Sequence, residues 1–161
     1  LIATTRELLI TITSFTLAHS LTLGGASLGF LSLPSAPVEA VIALSIVLLA
    51  VELLRGEQQS LSRRKPWLVA FGFGLLHGFG FASVLADLGL PDDLRLPALL
   101  FFNLGVEIGQ LLFVGFLLIF TFFLLKGSRW VSINFIFLEK AMIYFLGGLS
   151  AYWTIDRLLS W

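Results

Sequence analysis

Apolar residues in this chain come in blocks long enough to cross a bilayer, separated by short polar clusters. The blocks cover residues 6–30, 37–54, 66–88, 97–125 and 135–159. A hydrocarbon core of ~30 Å takes about 20 helical residues. The pattern therefore predicts an all-α fold: a polytopic transmembrane helix bundle with about five spans, forming one domain over 1–161. The fourth block is long enough to tilt or protrude. Within it, residues 111–125 are apolar on every face, whereas a helix on the surface of a soluble bundle shows a single apolar stripe. A soluble bundle fails at that segment.

Composition agrees. Hydrophobic residues make up 58% of the 161-residue chain and charged residues 12%, about half the charge of a typical soluble domain. The net charge is zero, which argues against a nucleic-acid partner held by phosphate neutralisation. Cysteine is absent, so disulfides, thiolate metal sites and thiol catalysis are excluded. The chain starts at Leu1 and shows no basic region followed by a small-residue cleavage site. That start predicts an upstream segment, and six or more spans with it.

The basic residues fix an expected orientation. With the start of the first block inside, Arg6, Arg55, Arg63, Arg64, Lys65, Lys126, Arg129 and Lys140 fall on the inner side. Only Arg95 and Arg157 fall outside. This bias predicts a multi-pass membrane protein whose loops 55–66 and 126–140 are cytoplasmic and whose C-terminus is outside.

Against that background the polar residues inside the blocks stand out. His19, His77 and Glu107 each lie deep in a different span. An ionisable group at that depth costs roughly 2.5–3.5 kcal/mol on insertion scales, which makes it a functional-site hypothesis by default. At ~1.5 Å per residue, His77 lies roughly 16 Å from Pro66, Glu107 roughly 15 Å from Pro97, and His19 roughly 20 Å from Arg6. All three fall near the midplane. Two imidazoles and a carboxylate at one depth suit a divalent transition metal: imidazole suits nickel, copper, zinc and iron, and the carboxylate adds a hard anionic donor. Asn103 and Gln110 share a helix face with Glu107, and Thr16 and Ser20 flank His19. These hydroxyls and amides can orient the ligands or bind part of an ion's hydration shell; equally, they can join helices by hydrogen bonds. Glu39, near the end of the second block, is a further candidate at an outer mouth. Gly74 and Gly78 bracket His77 and form a small-xxx-small pair that lets helix backbones approach closely.

Three strings carry a family resemblance: Ser14-Phe-Thr-Leu-Ala-His-Ser-Leu-Thr22, Phe73-Gly-Leu-Leu-His-Gly-Phe-Gly-Phe-Ala82 and Phe102-Asn-Leu-Gly-Val-Glu-Ile-Gly-Gln110. With a closing Tyr152-Trp153 and Arg157, they resemble the HupE/UreJ family of small bacterial membrane proteins across nearly the whole chain. The resemblance implies a hydrogenase or urease accessory function and import of nickel or cobalt, carried over onto His19, His77, Asn103, Glu107 and Gln110. It also implies an earlier span with a histidine and an Asp-His pair. Nothing in residues 1–161 matches that span, which is expected to precede Leu1.

The first expectation is thus a permease or metal-handling protein and not an enzyme. No Gly-x4-Gly-Lys-Ser/Thr loop is present, so transport would be passive, ion-coupled or driven by another subunit. Its partners would be the lipid bilayer and either further copies of the chain or a larger membrane complex. Three alternatives remain open. An intramembrane hydrolase would need Ser27 bonded to His77 as its base. A haem protein would need a flat gap between the first and third spans. A non-transporting accessory subunit would dock through the Phe-rich fourth span.

Overall fold

The computed structural model describes residues 4–31, 33–56, 60–87, 91–127 and 135–160. Among them there are six helices and no strand: α1 (Thr5–Ser27), α2 (Ser35–Arg55), α3 (Leu61–Arg64), α4 (Pro66–Asp87), α5 (Asp92–Gly127) and α6 (Phe135–Leu159). The fold is all-α. Three helices are long and apolar enough to cross a membrane, within Thr5–Ser27, Ser35–Arg55 and Asp93–Phe123, and Pro66–Ala82 is a shorter apolar helix.

Local chemistry sets the helix ends. Thr4 and Glu7 form a reciprocal capping box that opens α1. Gly29, at φ 81°, turns the chain beyond its last turn, and the Phe30 and Leu31 amides return to the Gly25 carbonyl. Gly56 closes α2 in the left-handed conformation. The polar segment read from sequence as a plain loop contains α3, held when the Ser62 amide donates to Glu52 Oε1 at 3.0 Å. α5 begins at Asp92, five residues before the expected Pro97, and runs through that proline. Asp93 in the first turn suits the helix N-terminus, and the Leu94 amide closes that turn on the Pro91 carbonyl at 3.0 Å.

The helices follow the spatial order α5, α1, α4, α2, α6. The tightest pair is α1 with α4, and glycine makes it so. A Cβ on Gly74 would stand 2.9 Å from Ala18 Cβ, and one on Gly78 would stand 2.5 Å from the His19 carbonyl oxygen. Gly74 thus lies level with Phe15 and Ala18, and Gly78 with His19 and Thr22, so α1 and α4 run parallel. α5 runs antiparallel to α1, pairing Gln110 with Thr16 and Asn103 with Ser20. α6 runs antiparallel to α2: Gly147 sits against Ala50, and Arg157 Nε pairs with Glu39 Oε2 at 3.0 Å.

These registers sort the helix ends onto two faces. One face holds the starts of α1, α4 and α6 with the ends of α2 and α5. It carries Arg6, Arg55, Arg63, Arg64, Lys65, Lys126 and Lys140, while Arg95 and Arg157 lie on the opposite face. Arg129 lies outside the described residues. Most of α5 and α6 exposes large apolar side chains, including Phe113, Phe116, Phe120, Phe145 and Tyr152. Lipid suits such a surface.

Candidate functional site

His19 is the most enclosed polar residue of the bundle, 1% exposed. Phe15, one turn earlier on α1, stacks on its ring at 5.8 Å, and Phe102 of α5 stacks at 6.1 Å. Phe81 of α4 meets it edge-on at 5.6 Å. Within this aromatic box both ring nitrogens are buried with no hydrogen-bond partner among the described residues. Native interiors rarely leave such groups unpaired, and each one costs about 1–3 kcal/mol.

His77 lies on α4, half-buried, one turn after Phe73. Its Nδ1 is 2.8 Å from the Phe73 carbonyl oxygen. A carbonyl only accepts, so Nδ1 carries the hydrogen and the Nε2 lone pair is left for a proton or a metal. Phe15 joins the two imidazoles, since its ring also meets His77 edge-on at 5.5 Å.

The third component is the face of α5 turned to α1. Asn103, Glu107 and Gln110 are half-buried along it. The Asn103 amide nitrogen donates to the Leu99 carbonyl at 2.9 Å, which turns Oδ1 toward α1. There the Ser20 hydroxyl is shared between Thr16 O at 2.7 Å and Asn103 Oδ1 at 2.8 Å. One turn earlier on α1, the Thr16 hydroxyl reaches Ile12 O at 3.2 Å and Gln110 Oε1 at 3.3 Å. Glu107 sits between these two anchor points.

The structure does not unite His19, His77 and Glu107 as one coordination shell. Among the described residues, no group of three His, Asp or Glu side chains stands at metal-binding spacing. Phenylalanine rings fill the space around the imidazoles, and the polar face of α5 is spent on hydrogen bonds to α1. Glu39 is not gathered in either: its carboxylate pairs with Arg157 between α2 and α6. The rings of Phe15, Phe73, Phe81 and Phe102 went unnoticed in the sequence. Their signal was the helical spacing: Phe15 and Phe73 each precede a histidine by four residues, and Phe81 follows His77 by four.

Two alternatives lose their geometry. Among the described residues, Ser27 Oγ is buried without a hydrogen-bond partner, so neither histidine stands against it as a base. The close approach of α1 and α4 at Gly74 and Gly78 leaves no ring-sized gap for haem.

The HupE / UreJ protein family matches residues 1–157. The chain belongs to the HupE/UreJ family. No curated protein and no solved structure matches it. Membership, with the apolar helices, makes this a membrane protein of a hydrogenase- and urease-accessory family, and implies an accessory or permease function related to nickel or cobalt.

Proposed function

We propose that this HupE/UreJ protein is a permease or metal-handling protein for a divalent transition metal, nickel or cobalt first, in the bacterial inner membrane. The observation that carries the reading is the state of His19. Two buried imidazole nitrogens at mid-helix with no partner among the described residues are poor structural design unless a ligand spends time on them. His77 supports it with a lone pair at Nε2 beside the same Phe15 ring. Glu107, between the Asn103 and Gln110 anchors, supplies a hard anionic donor from the facing helix.

In this reading the metal is cargo. Rotation of Phe15 and Phe102 would admit it to His19, and a site assembled only by such rotations holds an ion loosely enough to release it. The basic face of the bundle is cytoplasmic, with loops 55–66 and 126–140 on that side and the C-terminus outside, as the positive-inside rule requires. The remaining polar candidates, Thr16, Ser20, Asn103 and Gln110, hold α5 against α1 and so set the position of Glu107.

Metal content of the purified protein tests this by elemental mass spectrometry, comparing wild type with His19→Ala, His77→Ala and Glu107→Ala after loading with nickel, cobalt, copper or zinc. The expected result is bound metal in wild type and less in all three variants. Wild type that binds none of the four metals would overturn the reading in favour of a non-transporting accessory subunit.

A further inference from the structure

A groove runs along α2 and the first half of α4 toward the basic face. One lobe, about 250 Å³, lies on the α1 side, and the other, about 390 Å³, is lined by α2, α3 and α4; Leu49, Val69 and Phe73 are common to both. The first lobe ends on Phe15 and Phe73, the rings that touch the two histidines. Its walls are almost wholly aliphatic and aromatic, so it suits a hydrocarbon chain far better than a hydrated ion.

The mouth has the opposite character. Leu61, Ser62 and Pro66 line the groove, and the residues between them are Arg63, Arg64 and Lys65, all exposed. The short α3 that presents them is fixed in place. Its Ser62 amide is bonded to the Glu52 carboxylate, and the Lys65 amide closes on the Leu61 carbonyl at 2.8 Å. Glu52, the acid lining the second lobe, is thereby held by a backbone donor beside the cationic cluster. A preference for basic residues on one side of a membrane explains their number. It does not explain why they interrupt the lining of an apolar groove.

We propose that this groove binds one anionic phospholipid, with an acyl chain in the lobes against Phe15 and Phe73 and its phosphate on Arg63, Arg64 and Lys65. Charge complementarity selects the headgroup, and the apolar lobes select a lipid over a free anion. This inference does not rest on the metal reading.

Native mass spectrometry of the full chain tests it, after equilibration in mixed micelles holding equal phosphatidylglycerol and phosphatidylcholine. The expected result is one retained lipid per chain and a preference for phosphatidylglycerol on the order of tenfold or more, given the attraction of each Lys or Arg for anionic lipid. The variant R63Q/R64Q/K65Q brings the two lipids near parity. Val69→Trp, which fills the shared part of the lobes, lowers retention of both, and Ala70→Leu gives a milder version of the same loss if tryptophan is not accommodated. Equal retention of the two lipids by wild type, or a preference that survives the triple substitution, would overturn the proposal. So would inorganic phosphate raising the thermal midpoint as much as phosphatidylglycerol does.

Discussion

The Ser20 hydroxyl and the Asn103 amide oxygen lie 2.8 Å apart and form a polar bond that fastens α5 to α1. Another joins Thr16 to Gln110. Interhelical hydrogen bonds of this kind in membranes contribute about 0.6 kcal/mol on average and up to ~1.7. A double-mutant cycle with Ser20→Ala and Asn103→Ala, read by unfolding in a detergent titration, should give a coupling energy in that range. A coupling near zero would mean that the Ser20–Asn103 bond contributes nothing to holding α5.

Glycines 74 and 78 should be far less tolerant than their neighbour. A methyl group on either meets the backbone or side chains of α1, whereas one on Gly72 meets nothing within 4 Å. Gly78→Ala and Gly74→Ala should each destabilise by about 1–3 kcal/mol through overpacking. Gly72→Ala should be neutral or slightly stabilising, since alanine is the better helix former. Three thermal melts in the same detergent decide the order.

His19→Leu should separate stability from function. Leucine removes two buried nitrogens that have no partner among the described residues and keeps an apolar group in the aromatic box. The variant should therefore be more stable, by at least the cost of one unsatisfied buried group, about 1–3 kcal/mol, while losing bound metal. A large loss of stability would instead assign His19 a structural role.

Phe15 should control access to His19. Its ring lines the groove on one side and stacks on the imidazole on the other. The chain has only two histidines, so carbethoxylation by diethyl pyrocarbonate with peptide mapping reads each in the otherwise native protein. His19 should be protected in wild type and modified at least several-fold faster in Phe15→Ala, with Phe15→Leu intermediate. An unchanged rate would place the path to His19 elsewhere.

The Glu39–Arg157 pair should matter little to stability. Both side chains are more than a third exposed, and exposed pairs are worth about 0–1 kcal/mol. Glu39→Gln should shift the unfolding midpoint only slightly, and raising the salt concentration should shrink even that shift.

Sequence alone determined that the chain is helical along its long apolar blocks. Burying backbone polar groups in lipid forces each long apolar block to satisfy its hydrogen bonds within itself, so hydropathy is nearly sufficient to find the spans. It also brought out His19, His77 and Glu107, because an ionisable group among apolar neighbours is conspicuous in one dimension. The short α3 and the early start of α5 were hidden, since both are held by local hydrogen bonds, Ser62 to Glu52 and Leu94 to Pro91 among them, that no apolar pattern encodes. What only the tertiary structure decided is which side chains face one another. It set Asn103 and Gln110 as clasps on α1, gave Glu39 to Arg157, and surrounded His19 with Phe15, Phe81 and Phe102 in place of a ready-made ligand shell. Equal depth in a bilayer is a statement about one coordinate. Meeting at a site also requires helix rotation and neighbour order, which close packing at Gly74 and Gly78 fixes and no linear pattern of polarity can express.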